Sequence, residues 1–204
     1  MAPDANAMRK PWQRLRERAV ALANDRSGLA ATEFAFIVPV MLVLFFGTVE
    51  ISNGVAAYRK VSIMAHTLSD LTSQSTSVQD SDLSNFFCAA AGVMTPYVNG
   101  PCPVPGIQQT ITELWINPSL QARVQWSSGS TPLSAGTIVT IPSGLAVANT
   151  YVIYSQVNFL YTPAVGFVMN KSGVNLSDFA FTRPRLSQCV LYDPAAPNTP
   201  CPQT

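Results

Sequence analysis

The chain has 204 residues, 48% hydrophobic and 11% charged, with a formal net charge of +1. That length fits one domain, or one domain with an appendage. The near-neutral balance argues against a disordered charged tail and against a nucleic-acid binder, which needs a basic face, and the single histidine, His66, excludes a His-rich metal site.

Charge is unevenly placed. Residues 1–28 hold Arg9, Lys10, Arg14, Arg16, Arg18 and Arg26 against Asp4, Glu17 and Asp25. Immediately after comes the most apolar run, Phe34 to Val49, with no charged residue. As a helix it covers roughly 24 Å, short of a hydrocarbon core of about 30 Å. Extended from Leu29 to Ile51 it reaches roughly 34 Å and takes in Glu33 and Glu50 near its ends. The positive-inside rule places residues 1–28 in the cytoplasm and everything after Ile51 outside it. Arg59 and Lys60 weaken that bias without reversing it. A buried core helix is the plain alternative.

The segment has three fates. It is an uncleaved anchor, or a secretory signal ending at the small residues Val55-Ala56-Ala57, or the substrate of a different peptidase. The third fate rests on Gly28, which closes the basic leader, and on Glu33 and Phe34 at the threshold of the apolar run. This order resembles the processing site of type IV prepilins, which implies cleavage between Gly28 and Leu29 by a prepilin peptidase. Cleavage creates a charged α-amine on Leu29. Leu29 and Glu33 stand four apart, so the pair can form within one helix or between neighbouring helices, setting how far one slides past the next.

The resemblance extends along the chain. Ala31-Thr32-Glu33-Phe34-Ala35-Phe36-Ile37-Val38-Pro39, Phe46-Gly47-Thr48-Val49-Glu50, Tyr58-Arg59-Lys60-Val61 and Ala65-His66-Thr67-Leu68-Ser69-Asp70-Leu71 look like the TadE-like domain of tight-adherence (Tad) pilus systems. Tyr161-Thr162-Pro163 and Phe181-Thr182-Arg183-Pro184-Arg185-Leu186-Ser187 are similar to C-terminal landmarks of that family; the middle, roughly 76 to 150, matches nothing. The resemblance implies a pseudopilin or minor pilin of the inner membrane, with a periplasmic C-terminal domain and a possible place in the pilus. Its implied partners are the prepilin peptidase and the other pilins and pseudopilins of the Tad apparatus. The alternative is an uncleaved, membrane-anchored periplasmic assembly factor.

Pro39 inside the run predicts a bend or loosening of the helix. Beyond the membrane, Gly54, Ala57, Val61, Met64, Leu68 and Leu71 recur at three and four residues, so one helix is expected from about Leu29 to Gln74. His66 reads as a surface or interface residue. Asp80-Ser81-Asp82 offers an N-cap for a second helix from about Ser81 to Met94. A loop rich in proline and glycine follows. Strands are expected at Gln109–Ile116, Ala122–Trp126, Thr137–Ile141, Tyr151–Tyr161 and Phe179–Tyr192. The expected fold is α+β: a long N-terminal membrane-spanning helix continuing into the periplasm, then a short helix and an antiparallel sheet. The expected divisions are a basic leader (1–28), a transmembrane helix (29–53), its periplasmic continuation (54–75) and an α+β domain (76–204).

The four cysteines allow three pairings, and free thiols are the alternative. The expected bridges are the local ones, Cys88 with Cys102 and Cys189 with Cys201, each worth around 3 kcal/mol in loop entropy. They imply an oxidising compartment, and their spacing does not suit zinc. No catalytic, phosphate-binding or dinucleotide motif is present, and neither an enzyme activity nor a cofactor is expected. Arg183 and Arg185 flank Pro184 on the expected final strand, facing one side, either exposed or clamping a neighbour's carboxylate. Asn170 and Asn175 lie in glycosylation-type triplets too common to weigh.

Overall fold

The structure, a computed structural model, describes residues 9–24, 27–163, 172–193 and 200–203. The chain divides into two compact units, Met1–Thr48 and Val49–Thr204. The boundary falls inside the long helix.

The first unit holds helix α1, Arg9–Asn24, in the basic leader, and the beginning of helix α2, Ser27–Ser73. Helix α1 was not anticipated. Helix α2 runs unbroken through Pro39, although the proline withholds one backbone donor. Apart from half-buried Val38, its large apolar side chains from Phe34 to Phe45 are exposed. Such a surface is stable in hydrocarbon or against other chains, not in water.

The second unit begins at Val49 with the rest of α2. It continues through β1 (Ser77–Val78), α3 (Asp80–Ala91), a 3₁₀ turn at Gly92–Met94, β2 (Ile107–Ile116), β3 (Ala122–Gly129), β4 (Ile138–Val139), β5 (Thr150–Tyr161), β6 (Val174–Thr182) and β7 (Leu191–Tyr192). An antiparallel sheet of order β4-β3-β2-β5-β6 carries the unit, and β1 and β7 form a separate parallel pair. Period-two alternation sends Ile111, Ile153, Val157, Phe159 and Tyr161 to one face. There they meet Ala57, Val61, Met64, Ala65 and Leu68 of α2 in a buried cluster. Ser155 Oγ donates to the Ala65 carbonyl at 2.6 Å, and Ser69 and Thr182 share a hydroxyl bond at 2.9 Å, which fixes the register of helix on sheet. On the other face Leu114, Ile116, Ala122, Val124 and Val152 pack under Leu133, Val139 and Ile141. The expected α+β class and the stripe on α2 are both present.

Three details differ from expectation. Helix α3 starts one residue early, and Asp82 acts at its third helical position, accepting the Gln79 amide at 3.1 Å, instead of as the cap itself. Asp82→Ala is expected to lower stability by about 1 kcal/mol, read as a lower midpoint in urea with unchanged slope. The expected final strand, Phe179–Tyr192, is two elements. Pro184 cannot donate to a ladder, so β6 ends at Thr182 and the chain pairs again only at β7. Strand β3 runs three residues past the expected Trp126, and its last residue is a glycine because a Cβ there would stand 2.1 Å from the Gln109 carbonyl oxygen.

Candidate assembly site on the N-terminal helix

Gly28 lies in the first turn of α2 and is exposed, and a Cβ built on it meets nothing within 4 Å. The Leu29 backbone is helical, and its side chain lies outside the described residues. Glu33 follows one turn later, exposed, with Phe34 beside it, also exposed. Helical spacing of four sets Glu33 on the Leu29 face. A shallow groove lined by Ala30, Ala31, Phe34, Ala35, Val38 and Pro39 runs next to it. Farther along, Thr48 Oγ1 donates to the Leu44 carbonyl at 2.8 Å, which removes a polar hydrogen from the apolar surface. Among the described residues, one helix is long and apolar enough to cross a membrane, and only 11% of its most apolar window is buried. That exposure disfavours the core-helix alternative and makes α2 a candidate membrane anchor.

The other residues singled out lie in the second unit. Cys88 of α3 is bridged to Cys102 of the proline-rich loop, and Cys189 to Cys201. Arg185 does not sit on a strand. Its guanidinium pairs with Asp70 on α2, whose carboxylate also accepts Gln74 Nε2, and its amide donates to the Ser73 carbonyl. Arg185 is thus half of an internal fastening, not a clamp for a neighbour, while Arg183 is exposed. His66 is exposed on α2. Of the two glycosylation-type triplets, Asn170 lies outside the described residues. Among the described residues no cluster of His, Cys, Asp or Glu is placed to hold a metal ion.

One buried carboxylate escaped the sequence reading. Glu113 on β2 is 0% exposed. Its two oxygens accept the Trp126 indole N–H at 3.0 Å and the Val190 amide at 2.6 Å. The same indole N–H also reaches the Val190 carbonyl at 2.7 Å. Burial pushes the Glu113 carboxyl up to about 8, against the pull of its two donors. Around this clamp, Tyr192 stacks on Trp126 and donates to Asp80, and Tyr151 Oη donates to the Pro202 carbonyl at 2.9 Å. The C-terminal segment is therefore tied to the sheet by the Glu113 carboxylate, the Trp126 indole and the Tyr151 hydroxyl, while its own Cys189–Cys201 bridge closes a loop within it and β7 pairs with β1.

Fold and site together define a class: an α+β unit, stapled by two disulfides, on a helix whose exposed apolar beginning is a candidate anchor. Residues 28–67 match the family model described as TadE-like protein. The match begins at Gly28 and runs along α2 to Thr67, so through these residues the chain is similar to TadE-like proteins, the family its motifs resemble. The sheet lies outside the matched residues. No curated protein and no solved structure matches the chain.

Proposed function

We propose that this protein is a pseudopilin or minor pilin acting in assembly of a Tad pilus, with no catalytic step of its own. The basic leader stays in the cytoplasm, α2 inserts in the inner membrane, and the α+β unit folds in the oxidising periplasm. A prepilin peptidase cuts after Gly28. The freed helix then packs with other pilins and pseudopilins through its exposed apolar surface. The carrying observation is the TadE-like match over residues 28–67, which begins at Gly28 and takes in Glu33, Phe34 and the exposed apolar turns of α2.

The second reading, an uncleaved anchored assembly factor, is favoured by one feature. The Gly28–Leu29 bond is helical, so a peptidase must first unwind it. A helix end frays readily, which keeps the first reading ahead.

Gly28→Leu separates them. Gly28 is exposed and a Cβ there meets nothing within 4 Å, so the substitution displaces none of the described side chains and its effect reports on the peptidase. Native protein from membranes should begin at Leu29 by N-terminal sequencing, and Gly28→Leu should accumulate as a precursor heavier by the leader. Full-length native protein alongside an active peptidase supports the anchored factor. A start at Tyr58 supports a secretory signal.

A further inference from the structure

Within the Val49–Thr204 unit, one end of the sheet meets the helix at its earliest turns. Tyr97 Oη donates to the Asn53 carbonyl at 3.2 Å, and the Tyr97 ring meets the Tyr161 ring edge-on, centroids 5.9 Å apart. The Tyr161 phenol is pushed up by burial, then by Tyr97, then by the Glu50 carboxylate. Glu50 is 2% exposed. Lys60 Nζ donates to the Val93 and Thr95 carbonyls at 2.8 and 2.6 Å. The loop after the 3₁₀ turn and the last residue of β5 are thereby held beside Glu50–Asn53. Asn53 is five residues past Thr48, the last residue of the first unit.

This end of the unit presents little charge to its surroundings. The loop Thr95-Pro96-Tyr97-Val98-Asn99-Gly100-Pro101-Cys102-Pro103-Val104-Pro105-Gly106 contains no charged residue, and neither does β5 through Pro163. Pro96, Pro101, Pro103 and Pro105 are all exposed. Each proline removes a backbone N–H, so the loop carries four fewer donors whose loss of water would be costly in a less polar medium. The Cys88–Cys102 bridge ties the loop to α3, and Val98 and Val104 pack against the core. Little conformational freedom remains to be lost on seating it. Tyrosine at such a level suits the membrane–water boundary. Arg59, exposed on α2 just beyond Asn53, supplies a cation for anionic headgroups.

We propose that the loop at 95–106 and the Tyr161 end of β5 form a seat for the lipid headgroup layer around the exit of α2 from the bilayer. The seat is a second membrane contact besides the helix. It holds the α+β unit against the surface until the subunit leaves the membrane. The inference rests on α2 being a membrane anchor, and its test reads that separately.

The test uses the full chain in nanodiscs of phosphatidylcholine and phosphatidylglycerol, with no other protein. An NBD fluorophore is placed by Asn99→Cys in the loop, by Leu44→Cys in the apolar run, or by Leu120→Cys in the β2–β3 turn, with both native bridges checked by non-reducing peptide mass. Leu120 is exposed at the far end of β2, since Ile107 pairs with Phe159 and Ile116 with Thr150. Lipids carrying a nitroxide at the headgroup or mid-chain are the quenchers. The seat predicts loss of emission at position 99 with headgroup nitroxide, loss at 44 with mid-chain nitroxide, and none at 120. Position 99 behaving like 120 while 44 is quenched overturns the seat and leaves the anchor standing. An unquenched position 44 overturns both. Protection at 99 that arises only on adding other pilus components assigns the surface to a protein and overturns the lipid assignment.

Discussion

Glu113→Gln is expected to flatten the pH dependence of stability between about pH 4.5 and about pH 8. In the folded chain the Glu113 carboxyl is raised to about 8, chiefly by burial, from an ordinary 4.5. A carboxyl that holds its proton more tightly when folded favours the folded state while both states are protonated. That advantage is complete below pH 4.5 and is lost as pH rises through about 8. At about 1.4 kcal/mol per pH unit the whole window amounts to at most about 5 kcal/mol, a large share of a small unit's stability. Glutamine cannot ionise, so the variant should lose the slope. It also turns an amide N–H₂ toward the Trp126 indole, which keeps the Val190 carbonyl as acceptor, so the buried amide itself lacks a partner, at a cost of about 1–3 kcal/mol at every pH. The variant should therefore be the less stable chain at pH 5 and draw level with or pass the native chain by pH 9. The measurement is urea unfolding of detergent-solubilised full chain at pH 5, 7 and 9, followed by tryptophan emission, with Trp126 inside the clamp. Parallel slopes for the two chains across that window would remove Glu113 as the titrating group.

The Glu113 clamp shows which part of such a site local pattern encodes and which part it does not. On β2 alternation puts residue 113 in phase with Ile111, which faces α2 in the core. A carboxylate two positions from an inward isoleucine was thus a visible signal of burial. What the pattern cannot supply is its partners: Trp126 comes from the neighbouring strand, but Val190 is 77 residues away. The long helix was legible because an uncharged run and a stripe of spacing three and four are local properties, and the two bridges because short loops favour near neighbours. The β1–β7 pair was not, since two-residue strands carry no period. Arg185 departs from expectation for a related reason: Pro184 ends the strand on which alternation would place it, and its partner, Asp70, lies on another element.

Glu33→Ala should leave a protein that is inserted and cleaved yet fails to assemble. The substitution removes a carboxylate whose transfer into a membrane helix is unfavourable, by around 2.5–3.5 kcal/mol at the bilayer centre and less toward the ends. Insertion therefore survives. Gly28 and the basic leader are untouched, so the precursor-to-mature ratio should match the native chain. The side chain is exposed on α2 in the single chain, so its removal opens no cavity and the α+β unit keeps its stability. What changes is the surface offered to a neighbour. On the proposed cleavage after Gly28, the Leu29 amine becomes a cation beside an apolar helix, and the proposed partner for it in a packed helix contact is the Glu33 carboxylate. Removing one partner of a buried pair costs about 3–5 kcal/mol, on the order of a hundredfold or more in association. Pilus number, or co-purification with other pilus components, should collapse in a strain whose immunoblot shows normal cleavage. Glu33→Gln serves as the closer control, because it keeps size and hydrogen-bonding capacity and removes only the charge; it should fail as Glu33→Ala does. Normal piliation by cleaved Glu33→Ala would reduce Glu33 to a carboxylate at the cytoplasmic interface. Recovery by Glu33→Gln alone would assign the contact to a hydrogen bond instead of an ion pair.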